Sequence, residues 1–84
     1  MVTILYFAWV REQVGLGEEQ VVLPVDVITL ADLARWLASR GGGYAAAFGT
    51  MTKLRAAVDQ VMVALDAKVH GAREIAFFPP VTGG

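Results

Sequence analysis

One stretch of this chain, "TLADLARWLASRGGG" at 29–43, carries the period of a helix long enough to lie across a sheet, and it constrains the rest. Leu30, Leu33, Ala34, Leu37 and Ala38 fall on one stripe, Thr29 stands at the N-cap position, and Asp32 follows three residues later. Gly41, Gly42 and Gly43 read as the stop of this helix. No Lys-Ser/Thr pair follows them and they trail a helix instead of opening one, which excludes a phosphate-cradling loop. A single amphipathic helix has to bury its stripe against strands.

The strands come from both ends. "VTILYF" at 2–7 is β-branched and aromatic on both alternating faces, as in a strand covered on two sides or carrying one face for a partner. "AWVREQVG" places Val10 and Val14 four apart and ends on Gly15, which suits a short helix with a glycine cap. "QVVLPV" at 20–25 reads as a second strand, held to an edge or an end by Pro24. "YAAAFG" at 44–49 suits a short extra helix with Tyr44 and Phe48 on one side, and residues 50–55 read as a polar connection. "AAVDQVMVAL" has strand character over 56–65, interrupted near Asp59–Gln60, and "EIAFFP" at 74–79 is the last strand. This order predicts a single α+β domain over 1–84, a mixed sheet with one principal helix. If the first and last strands pair in parallel, the fold is a β-grasp, the ubiquitin-like fold, with 79–84 as an extended tail.

Composition narrows the function. Eighty-four residues hold one core, and the 56% hydrophobic and 18% charged content exceeds and falls short, respectively, of ordinary usage, which predicts apolar surface kept for another protein. The chain has no cysteine, so it has no thiol nucleophile, thiolate metal site or disulfide. Its seven basic residues are scattered along the chain, against a nucleic-acid surface. No apolar run approaches a membrane span and the apolar opening lacks the basic start of a signal peptide, so a cytoplasmic protein is expected. No acid/base pair, metal cluster or resident cofactor is expected either. His70 reads as turn surface, and Trp9 and Trp36 as packing residues.

The chemistry points to the end, "FFPPVTGG". Phe77 and Phe78 alternate faces, one for the core and one free for a partner. Pro79 and Pro80 fix φ and favour an extended segment that loses little entropy on docking. Fully stretched, residues 79–84 reach about 20 Å. Gly83 and Gly84 have no Cβ and fit a channel too narrow for other residues. The reacting group is then the α-carboxylate of Gly84, which has to be activated, as by adenylation with ATP, before a nucleophile attacks it. A persulfide sulfur leads to a thiocarboxylate; an enzyme cysteine followed by a lysine leads to a protein conjugate.

"ILYFAWVREQVG" at 4–15, "TLADLARWL" at 29–37, "AVDQVMV" at 57–63 and "EIAFFPPVTGG" at 74–84 together resemble the MoaD family, the small subunits of molybdopterin synthase. The resemblance implies a sulfur carrier: a MoeB-type enzyme uses ATP to adenylate Gly84, a sulfurtransferase with a persulfide donor converts it to a thiocarboxylate, and the tail enters the large MoaE-type subunit. There it gives sulfur to cyclic pyranopterin monophosphate to form the molybdopterin dithiolene. Pro79, Pro80, Val81, Thr82 and Gly83 would thread the partner, in a heterotetramer of two small and two large subunits. Phe7 and Phe78 would form the shared partner surface. Arg11 reads first as a solvated surface arginine, with pairing to a partner carboxylate as the other reading. The sequence departs from the family at "HGARE", where His70 and Arg73 replace negative charge expected to lie beside the tail. The other readings of the tail are a carrier for another pathway, such as thiamin thiazole synthesis, and a protein modifier.

Overall fold

The computed structural model describes residues 1–50 and 53–80. It contains β1 (Val2–Tyr6), α1 (Ala8–Val14), β2 (Glu18–Val21), α2 (Leu30–Ala38), α3 (Gly42–Phe48), β3 (Arg55–Val58), β4 (Val61–Val63) and β5 (Glu74–Phe78). The five strands form one sheet in the order β2-β1-β5-β3-β4. β1 and β5 run parallel at its centre, from Thr3 opposite Glu74 to Tyr6 opposite Phe77. All other pairs are antiparallel. This is the β-grasp arrangement.

Alternation divides the sheet into two faces. Val2, Ile4 and Tyr6 of β1, Ile75 and Phe77 of β5 and Ala56 of β3 are buried together with Leu30, Leu33, Ala34 and Leu37 of α2, Ala47 and Phe48 of α3 and Val10 of α1. Phe48 meets Phe77 edge to face with centroids 5.0 Å apart and meets Tyr6 at 6.0 Å, which knits α3 onto the central pair. Trp9 and Trp36 pack against this core, as their sequence context predicts.

The principal helix begins as its sequence predicts. Thr29 Oγ1 accepts from the Asp32 amide at 3.1 Å, and Asp32 Oδ2 accepts from the Thr29 amide at 3.0 Å. These reciprocal bonds close a capping box and use two of the amides a helix start otherwise leaves unpaired. The Thr29 and Ile28 amides hold the Asp32 carboxyl below its usual range.

Several boundaries differ from the sequence reading. The glycine run does not stop α2, which already ends at Ala38 with Ser39 as its C-cap; it opens α3. Gly41, with φ at 78°, caps the start of α3, and the helix begins at Gly42. A Cβ on Gly43 would stand 1.8 Å from the Gln13 carbonyl oxygen, so this glycine lets α3 press against the end of α1. β2 starts at Glu18 and ends before Pro24, because its register sets Glu18 opposite Leu5 and Val21 opposite Val2. The segment read as interrupted strand is a β3–β4 hairpin whose two turn residues, Asp59 and Gln60, both have positive φ. Asp59 Oδ1 also accepts from the Arg73 and Glu74 amides, pinning the turn to the start of β5.

Candidate functional site

The central pair has two ends, and the site lies at the one where both strands finish. Phe7 follows β1 directly, and its amide donates to the Phe77 carbonyl at 3.1 Å, which carries the parallel ladder one residue further. Alternation then sets Phe7 and Phe78 on the same side, opposite to Tyr6 and Phe77. Phe77 is fully buried, whereas Phe7 is 48% exposed and Phe78 is partly exposed. The expectation that adjacent phenylalanines serve core and surface separately therefore matches the structure. Pro79 and Pro80 continue from Phe78 outside the strand and are partly exposed. Val81, Thr82, Gly83 and Gly84, which carry most of the sequence-based assignment, lie outside the described residues.

The helix-free face extends this surface inward. Ladder partners across it run Leu5, Ala76, Ala57 and Met62, one from each of four neighbouring strands. The middle pair are alanines, so the row is low at its centre and rises at its ends. Met62 is 66% exposed and makes the outer rim. Sequence reasoning did not single out Met62. Its signal was the strand period after Asp59–Gln60, which becomes readable once those two residues are known to be a tight turn.

Two cations frame the same end. Arg55 stands opposite Phe78 in the β3–β5 ladder and is exposed. Arg11, exposed on α1, lays its guanidinium against Gly17, where a Cβ would lie 3.3 Å from Cζ. Among the described residues neither forms an ion pair; those present join Arg35 to Asp32 and Arg40 to Glu19. His70 and Arg73, by contrast, precede Glu74 at the start of β5. Four strand steps, about 13 Å, separate Glu74 from Phe78. The charge change read as lying beside the tail thus sits at the far end of the sheet, because β5 runs away from it.

The polar chemistry of the domain is structural. Glu19 accepts from the Tyr6 hydroxyl at 2.8 Å, the Tyr44 hydroxyl at 2.6 Å and Arg40 at 2.9 Å. Burial pushes its carboxyl up, but the three donors outweigh this and hold it below the usual range. Burial, reinforced by Glu19, pushes the Tyr6 hydroxyl up in turn. Arg40 stacks 4.6 Å from the Trp36 centroid and 4.9 Å from that of Tyr44. Among the described residues no buried polar side-chain atom lacks a partner, and this cluster fastens β1 and β2 to α3. Among the described residues no cluster of metal-ligating side chains occurs, and no helix is long and apolar enough to cross a membrane.

A mixed five-stranded sheet with a parallel central pair, a capped helix across one face and an apolar surface where the last strand ends defines a ubiquitin-like β-grasp domain. The chain belongs to the ThiS family, whose model matches residues 4–84. It is 40% identical to the molybdopterin synthase sulfur carrier subunit of Escherichia coli and 39% identical to that of Haemophilus influenzae, each over the full length of both chains. The subunit of the same name from Mycosarcoma maydis is 32% identical over 99% of this chain and 92% of its own. The resemblance to MoaD-type subunits drawn from the motifs is therefore upheld across the chain. Among solved structures, a putative molybdopterin converting factor subunit 1 from Pyrococcus furiosus superposes with a TM-score of 0.66, at 22% identity, over 95% of this chain and 97% of its own. SAMP1 from Haloferax volcanii gives 0.63, at 20% identity, over 99% and 98%. At these identities the two structures speak for the fold, and they support the β-grasp assignment.

Proposed function

We propose that this chain is the sulfur carrier subunit of a molybdopterin synthase, with the α-carboxylate of Gly84 as the group that takes and delivers sulfur. The observation that carries the reading is end-to-end identity of 40% with a carrier subunit of that name. The geometry is consistent with it: the last strand leads out through Phe78, Pro79 and Pro80 beside a partly exposed apolar face.

The chemistry then divides between chain and partners. In an adenylating enzyme of the MoeB type, a carboxylate oxygen of Gly84 attacks the α-phosphorus of ATP and pyrophosphate leaves. A persulfide sulfur next attacks the acyl carbon and AMP leaves. Cleavage of the resulting acyl disulfide by a second thiol releases the thiocarboxylate. The loaded tail enters a MoaE-type large subunit, which supplies the acid/base groups, and sulfur passes to cyclic pyranopterin monophosphate. Phe7, Phe78 and Met62 form the docking surface, and Arg11 and Arg55 meet carboxylates at its rim. Pro79 to Gly83 span the distance to the partner's site. ATP is bound by the activating enzyme and not by this chain, and the reactions take place in the cytoplasm.

The test is the intact mass of the chain after incubation with a MoeB-type enzyme, MgATP and a persulfide donor, with a variant lacking Gly84 alongside. The expected result is a gain equal to one oxygen replaced by sulfur in the full chain and no gain in the variant. An unchanged mass, with an enzyme that loads another carrier under the same conditions, would sink the proposal.

A further inference from the structure

Among the described residues, three other than glycine have positive φ: Ala8 at 51°, Asp59 at 49° and Gln60 at 71°. The last two form the β3–β4 turn, where a two-residue hairpin demands left-handed backbone and where polar side chains are common. Ala8 has no such explanation. It is the first residue of α1, directly after the N-cap Phe7 that follows β1; its side chain is exposed, and alanine gains nothing there from packing. Left-handed backbone at an alanine is strained, and such strain persists where the surroundings over-determine it.

What surrounds Ala8 shows what it maintains. The Phe7 amide is bonded to the Phe77 carbonyl at 3.1 Å, and the Phe7 carbonyl accepts from Val10 at 3.1 Å and Arg11 at 3.3 Å. Phe7 is thus at once the last residue in the ladder and the cap of α1, with extended backbone at φ −125° and ψ 156°. The chain has no loop residues in which to reverse, so the whole change of direction falls on Ala8. A right-handed Ala8 would redirect either α1 or Phe7, and α1 is locked through buried Val10 and the Gly43 contact. Phe7, whose ring is half exposed and whose place in the ladder rests on one amide hydrogen bond, is the element that would shift.

We infer that Ala8 is a positioning residue for partner docking: its left-handed backbone holds Phe7 beside Phe78 at the base of the tail. This rests on the docking role given to Phe7 above. The test compares Ala8→Asn with Ala8→Thr, two polar side chains of similar size at an exposed site. Asparagine tolerates left-handed backbone and β-branched threonine does not. Binding to a MoeB-type adenylating enzyme is measured by calorimetry for both variants, for Phe7→Ala and for Phe7→Ala combined with Ala8→Thr. Asparagine is expected to leave affinity within about twofold of the parent, and threonine to weaken it at least tenfold. Threonine should add nothing once Phe7 is gone, since a lost position matters only while the ring is present. Hydrogen exchange of the Phe7 amide should quicken in the threonine variant alone. Equal affinities for the two Ala8 variants, or a threonine effect that persists in full without Phe7, would overturn the inference. Phe7→Ala binding as tightly as the parent would instead overturn the docking role of Phe7, and the role of Ala8 with it.

Discussion

The two faces of the sheet are built from the same strands and have opposite fates. On the helix side Tyr6, Phe48 and Phe77 are closed off completely and touch edge to face. On the other side Leu5, Ala57, Ala76 and Met62 make a row with small residues at its centre and an exposed methionine at its rim. Single steps along the chain, from Tyr6 to Phe7 and from Phe77 to Phe78, pass from one regime to the other. The pairs share a chemistry, so residue type does not decide the role; the direction given by the strand does. A domain this small can therefore turn Phe7, Phe78 and Met62 outward without borrowing from its own core.

The comparison is broken most severely at Phe77. Phe77→Ala should cost about 3–5 kcal/mol, the range for emptying an aromatic site in a core, read as a fall in the urea midpoint. Much of the stability of a domain this size would go with it. Phe78→Asp should do the reverse: its midpoint should stay close to the parent's, while binding to the adenylating enzyme weakens by about 2 kcal/mol or more, as for a buried interface anchor. A large loss of stability in Phe78→Asp would show that the open face belongs to the core after all.

A smaller effect sharpens the edge of the helix-side core. The carboxyl of Glu19 lies below its usual range in the folded chain, so the stability it adds is present in full above the unfolded value. It is lost as pH falls through the lowered folded value. Glu19→Gln should cost about 1–2 kcal/mol near neutral pH, since an ionised acceptor of three donors becomes a neutral one. It should also flatten the decline in urea midpoint below about pH 4.5, which the parent is expected to show. An equally steep decline in the variant would assign it to other carboxyls, Asp32 first among them.

How much of this was legible in the sequence depended on the range of the interaction. The α2 capping box and its stripe are local, and they were read correctly from Thr29, Asp32 and the leucines. The parallel pairing of the first and last strands entered only as a condition for the β-grasp, and the central β1–β5 ladder meets it. Glu19 was not visible as a hub, because its three partners lie 13, 21 and 25 residues away. The glycine run is a start and not a stop: α2 already ends at Ser39, and the need for Gly43 arises from a carbonyl of another helix, which no local pattern shows. His70 and Arg73 were misplaced because proximity in sequence to the tail was taken for proximity in space. A strand carries its two ends apart, and these residues are at the wrong one.

The order of the strands has a consequence for how the protein comes into being. β5, which follows the other four strands in the chain, lies in the middle of the sheet, between β1 and β3. Until it leaves the ribosome, β1 and β3 have no common neighbour and the aromatic core lacks Phe77. Long-range pairing of this kind comes late in folding, and the N-terminal half has little to close around beforehand. Folding and synthesis of β5 are therefore coupled in time. A chain truncated during synthesis before this strand would remain unfolded and open to degradation, so the pool of folded domains is screened for an intact central strand before any partner meets it.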